Sequence, residues 1–137
     1  MDKRKEANLR VKRNIVRALT ELMQKKNYSD ISVSEITALA GVSRISYYRN
    51  YDSKEDILTE SLESLMTHFS EEINPLPFHT PSRRVMSRFF HVAREEKDHF
   101  MLLHQAGMDS QLQNGLDEFI LSCPHFPSLA RRRISPA

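Results

Sequence analysis

Residues 31–58 read ISVSEITALAGVSRISYYRNYDSKEDIL, and this stretch decides the fold. Ser32-Val33-Ser34-Glu35 is a capping box, in which the Ser32 hydroxyl accepts from the Glu35 backbone N–H while the Glu35 carboxylate reaches back. Ile36, Leu39 and Ala40 then fall on one side of a short helix. Gly41 follows as the residue best suited to the left-handed conformation that ends a helix, and Val42 can fill the corner behind it. Ser43 caps a second short helix that reaches Tyr51. In it Tyr47 and Tyr51 stand four apart on one face, with Arg44, Ser46, Tyr48, Arg49 and Asn50 over most of the remainder. Two short helices joined by a tight glycine turn make a helix-turn-helix.

The second helix has the chemistry of a reader of DNA. Arginine can fork onto guanine or grip a phosphate, Ser and Asn hydrogen-bond in several directions, and Tyr offers a ring and a hydroxyl. Set in a helix-turn-helix, such a face lies in the major groove. The same residues also suit the solvated side of an ordinary helical hairpin, and this window alone leaves both readings open.

The order of residues goes further. Val42-Ser43-Arg44, then Ser46-Tyr47-Tyr48-Arg49, Tyr51, and Ser53-Lys54-Glu55-Asp56-Ile57-Leu58 together resemble the signature of TetR-family transcriptional regulators. The resemblance runs from about Leu9 to Phe69, with Tyr47 and Tyr51 where Phe is commoner and Asn50 where His is frequent. It implies an all-α chain, with a three-helix DNA-binding domain over residues 9–69 (helix-turn-helix 32–51) and a helical effector and dimerisation domain over 70–123. It implies a sequence-specific regulator, either a repressor released by an unknown small-molecule effector or a truncated remnant of one, with the family acting as a homodimer on a two-fold double-stranded operator. Ser32, Ser34, Ser43, Arg44, Ser46, Tyr48, Arg49, Asn50 and Lys54 are the expected DNA-binding residues. Of these, Lys54 and the adjoining N–H groups would meet a phosphate at a helix N-terminus.

Composition agrees. Residues 1–54 hold twelve Lys/Arg against six Asp/Glu, residues 55–80 hold six acids and no base, and residues 81–137 hold eight bases and six acids. Positive charge thus collects beside the reading helix, as phosphate neutralisation requires. With 137 residues, 39% hydrophobic, three Gly and no strand-like alternation, one modest helical domain, or a small one beside an incomplete one, is expected. No apolar run approaches the length of a bilayer span, so the expected location is the cytoplasm, away from membranes. The lone Cys123 offers neither a disulfide nor a metal-site spacing.

The flanking segments read as helices too. A frayed start, Met1 to Glu6, leads to a first helix over about Ala7–Lys26, with Val11, Ile15, Ala18, Leu19, Leu22 and Met23 as its apolar stripe. Ser53 is expected to cap a long helix carrying Ile57, Leu58, Leu62, Leu65, Phe69 and Ile73. Prolines 75, 77 and 81 make a stiff linker. Val85, Met86, Phe89, Phe90, Val92 and Ala93 then predict a well-buried helix with a bend near Lys97, a break at Gly107 and a last helix over Ser110–Ser122.

His91, Glu95 and His99 at i, i+4 and i+8 would share one face of a continuous helix, yet nothing completes a recognised metal pattern, and no metal, cofactor or catalytic residue is assigned. Met86, Phe89, Phe90, Phe100, Met101 and Met108 suit either a ligand pocket or a helical core. Residues 124–137, with prolines and Arg131–Arg133, carry no helical stripe and read as a disordered tail. The resemblance implies two long closing helices that these 137 residues do not show, so the effector domain is expected to be a shortened one. A second reading keeps the fold as a helical interaction protein that pairs with a full-length relative without controlling an operator. No nucleophile–base pair or phosphate loop suggests an enzyme.

Overall fold

Seven α-helices follow one another in the computed structural model, which describes residues 2–126. They are α1 (Lys3–Met23), α2 (Val33–Ala40), α3 (Arg44–Asn50), α4 (Glu55–Ile73), α5 (Ser82–Glu95), α6 (Lys97–Gln105) and α7 (Asp109–Ser122), with a single 3₁₀ turn at Tyr28–Asp30. The fold is all-α, and among the described residues there is no strand.

Helix α1 begins at Lys3, four residues before the expected start, because the Asp2 carboxylate accepts from the Arg4 N–H at 3.1 Å and caps what was read as a frayed end. Its regular part stops at Met23, and Lys25 and Lys26 still donate to the Leu22 carbonyl in a tightened last turn. Lys26 then pairs with Glu35 at the start of α2. That ammonium, followed by the Ser32 N–H, holds the Glu35 carboxyl below the usual carboxylate range.

The first core gathers Ile15, Ala18, Leu19 and Met23 of α1 with Ile31, Ile36, Tyr47, Tyr51, Ile57 and Leu58. On α2 the buried row is Ile36 and Thr37, flanked by half-buried Val33 and Ala40, whereas Leu39 stands on the surface. The inward stripe is therefore i, i+3, i+4, i+7 counted from Val33, and the expected place of Leu39 is corrected. Thr37 tolerates burial because its hydroxyl donates to the Ser34 carbonyl at 3.1 Å.

Helix α4 also starts differently. Lys54, not Ser53, holds the N-cap position, with no side-chain cap, and Asp56 in the first turn reaches back, its Oδ2 accepting from the N–H groups of Asp52 (2.8 Å) and Ser53 (3.2 Å). The Ser53 carbonyl instead accepts from the Tyr47 hydroxyl at 3.0 Å. Further along, Leu65, Phe69 and Ile73 extend the same contiguous cluster into a C-terminal half, the second core, with Val85 and Val92 of α5, Leu102 and Leu103 of α6, Phe119 of α7 and Cys123. Phe69 is its centre, stacked on Phe89 at 4.7 Å between ring centroids and meeting Phe119 at 5.8 Å and Phe100 at 6.3 Å. Helix α4 thus serves both cores, and α6 packs against α1 as well as α4.

The buried face of α5 is narrower than its sequence suggests. Val85 and Val92 are buried and Phe89 is half-buried, while Met86 and Phe90 are exposed. With Met101 also exposed, the Met/Phe set does not line one common pocket. The bend falls at Glu96, and the break after α6 is Gly107 at φ 78°. The bend interrupts the row expected to join His91, Glu95 and His99: His91 lies against Glu95 at 2.6 Å, and His99 turns to Glu96. Among the described residues no group of three or more His, Cys, Asp or Glu has the geometry to hold a metal ion. Phe126 packs on the body, and burial pushes the Cys123 thiol up against the opposing His125 N–H. Arg131–Arg133 and the remainder of the expected tail lie outside the described residues. No helix among the described residues is long and apolar enough to cross a membrane.

Candidate nucleic-acid interface

The turn that presents α3 is built from three local devices. Ser32 and Glu35 form the full capping box, with the Ser32 N–H and the Glu35 N–H each donating at 3.2 Å. Gly41 takes φ 69°, ψ 32° and its N–H returns to the Thr37 carbonyl, reversing the chain with no Cβ penalty. The Ser43 hydroxyl accepts from the Ser46 N–H at 3.1 Å and starts α3.

Tyr47 fixes the rotation of α3 about its axis. Its ring is fully buried, 5.5 Å from that of Tyr51, and its hydroxyl is tied to the Ser53 carbonyl. Burial is the main reason the Tyr47 and Tyr51 hydroxyls are pushed well above their usual range, with Tyr48 and Asp56 adding to it at Tyr47 and Glu60 at Tyr51. With Tyr47 inward, Arg44, Ile45, Tyr48 and Arg49 form the outward face. Tyr48 keeps its ring edge-on to Tyr47 at 5.2 Å, which props its phenol outward. The Arg44 and Arg49 guanidiniums make no hydrogen bond or ion pair with other described residues. Around them, Ser32 and Ser34 expose the first turn of α2.

The nine expected residues therefore divide. Arg44, Tyr48, Arg49, Ser32 and Ser34 share the exposed surface of the two helices. Ser43, Ser46 and Asn50 are partly occupied within α3: the Ser43 hydroxyl donates to Ser46 Oγ at 3.1 Å, and the Asn50 amide donates to the Ser46 carbonyl at 2.9 Å. Lys54 departs from its expected place. Its ammonium points inward, donating to the carbonyls of Tyr28 (2.7 Å) and Ile31 (2.9 Å) and lying 4.3 Å from the centroid of the Tyr28 ring. It clamps the 3₁₀ turn to the start of α4, so its charge is committed to the fold. Burial and the Glu55 carboxylate push the Tyr28 hydroxyl up beside it. Lys54→Met should lower the unfolding free energy in urea by about 1–3 kcal/mol, the scale of charged hydrogen bonds lost with a cation–π contact. Stability equal to that of the parent would show the clamp to be idle.

Ile45 escaped the sequence reading. It is the most exposed apolar side chain of the helix-turn-helix at 69%, set between Arg44 and Tyr48, where a thymine methyl is the natural partner. Its signal was available, as the one aliphatic residue within an otherwise polar face.

Comparison with known families places this geometry. The model of bacterial regulatory proteins of the tetR family matches residues 15–60, from the core of α1 through the helix-turn-helix into α4. Comparison with curated proteins and with solved structures finds no match. The matched segment holds the capped turn, the buried Tyr47 and the outward arginines described above. Residues 15–60 thus carry the N-terminal helix-turn-helix domain of the tetR family of bacterial regulatory proteins.

Proposed function

We propose that this chain represses transcription by reading a two-fold operator, with α3 in the major groove and release by a small-molecule effector. The observation that carries the reading is the outward face of α3, where Arg44 and Arg49 stand without internal partners over a buried Tyr47. Arg44, Tyr48, Arg49 and Ile45 make the base-edge contacts. Ser32, Ser34 and the N-terminal N–H groups of α2 hold the phosphate backbone, with Ser43, Ser46 and Asn50 setting the helix that reads. Residues 9–69 act as the reading head and 70–123 as the effector and dimerisation part. Two heads in a homodimer would set reading helices about 34–36 Å apart, the spacing of successive major grooves. The exposed Met86 and Phe90 on α5 are suited to such pairing.

Selection of bound duplexes from a random pool is the direct test, and it should return an inverted repeat. On that site Arg49→Ala should cost about 1–3 kcal/mol and relax preference at one base position in each half. Lys54→Met should leave the slope of log affinity against log salt unchanged, because a committed ammonium releases no counterion. Failure to enrich any sequence, with the protein folded, would favour a helical partner protein over an operator reader.

A further inference from the structure

A cleft of about 470 Å³ opens between α1, the start of α4 and the first turn of α6. Val16, the buried Tyr51 ring and Leu9 give it an apolar lining. Ser61 lines it as well, only 3% exposed and with no hydrogen-bond partner for its hydroxyl. A buried hydroxyl without a partner is costly, and a ligand acceptor group placed there would satisfy it.

The charged groups on the cleft are not equivalent. Lys12 and Glu60 cancel in an ion pair at 2.8 Å that ties α1 to α4. Arg13 and Arg17 stand one turn apart on α1, exposed, with no ion pair to another described residue. Facing them is the first turn of α6, which brings Asp98 and His99 to the same space, the His99 ring being held by Glu96. Glu21 and Asp98 also border the cleft, likewise with no ion pair to another described residue, so a ligand carboxylate has its favourable seat on the Arg13–Arg17 side, away from them.

We propose that this cleft binds an organic acid, its apolar body against Val16 and Tyr51, its carboxylate held by Arg13 and Arg17, and Ser61 donating to one of its oxygens. The volume is that of a site for a drug-sized molecule. Because α1 belongs to the reading head and α6 to the second core, an occupant here touches both and its binding is linked to that of DNA. This deepens the effector reading above, and its regulatory meaning rests on that reading.

Calorimetric titration with decanoate, run without DNA, is the test, so its failure removes the cleft site and leaves the operator reading untouched. Saturable binding of one decanoate per chain is expected, with the Arg13→Ala/Arg17→Ala pair and decylammonium each weaker by about tenfold or more, a difference of about 1.4 kcal/mol. Ser61→Ala, which removes an unsatisfied hydroxyl and so keeps the fold, should bind several-fold more weakly. Phe78→Ser, exposed and outside both the cleft and the proposed pairing face, should bind as the parent does. Absence of saturation, indifference to both cleft variants, decylammonium binding as tightly as decanoate, or loss of binding in Phe78→Ser would each overturn the proposal.

Discussion

Tyr47→Ala should lower the unfolding free energy by about 3–5 kcal/mol, the range for truncating a buried aromatic in a core that cannot collapse. The ring is completely enclosed beneath α3, and its hydroxyl holds the Ser53 carbonyl at 3.0 Å just before α4 begins. Tyr47→Phe separates the two contributions, since it keeps the ring and loses only the hydrogen bond, a loss of about 1–2 kcal/mol. Urea unfolding followed by circular dichroism reads both. If Tyr47→Ala kept full stability while DNA binding vanished, the ring would face the groove and the rotation of α3 would be misassigned. A total stability of about 5–15 kcal/mol is usual for a domain, so this variant approaches the limit of folding at ambient temperature.

Phe69→Ala should be equally severe, again about 3–5 kcal/mol, through the second core. Its ring is fully buried and meets Phe89, Phe100 and Phe119, one each from α5, α6 and α7. The two variants differ in where the damage lies. Helix α4 carries Ile57 and Leu58 into the first core and Phe69 into the second, so both losses should move a single transition. Two separated transitions in Phe69→Ala, with the earlier half still melting as in the parent, would show that the cores fold independently.

What could be read from the sequence was what depends on neighbours. The capping box at Ser32 and Glu35, the left-handed Gly41 and the cap at Ser43 each involve residues within a few positions, and each is found where expected. Tyr47 and Tyr51 declared their inward phase through spacing alone. Leu39 failed because an eight-residue helix with apolar residues at 33, 36, 39 and 40 admits two stripes, and only packing against α1 chooses between them. Lys54 failed for a different reason. Its acceptors, the carbonyls of Tyr28 and Ile31, lie 26 and 23 residues upstream, where no local pattern points to them. At α4 the expected Ser53 cap is absent, because Lys54 takes the N-cap position and the Asp56 carboxylate reaches back to the N–H groups of Asp52 and Ser53. The organic-acid cleft draws on three helices and was illegible for the same reason as the Lys54 clamp.

The 19 residues of α4 run without interruption from the Lys54 clamp to Ile73. At 1.5 Å per residue such a helix is a stiff rod of about 28 Å, so a tilt of about 5° at one end swings the other by about 2.5 Å. Phosphates on a duplex tolerate much less lateral error than that before a hydrogen bond is lost. A repacking around Phe69 that tilted this rod by that angle would displace its far end, next to the Ser53 carbonyl that Tyr47 holds, by the same few ångströms.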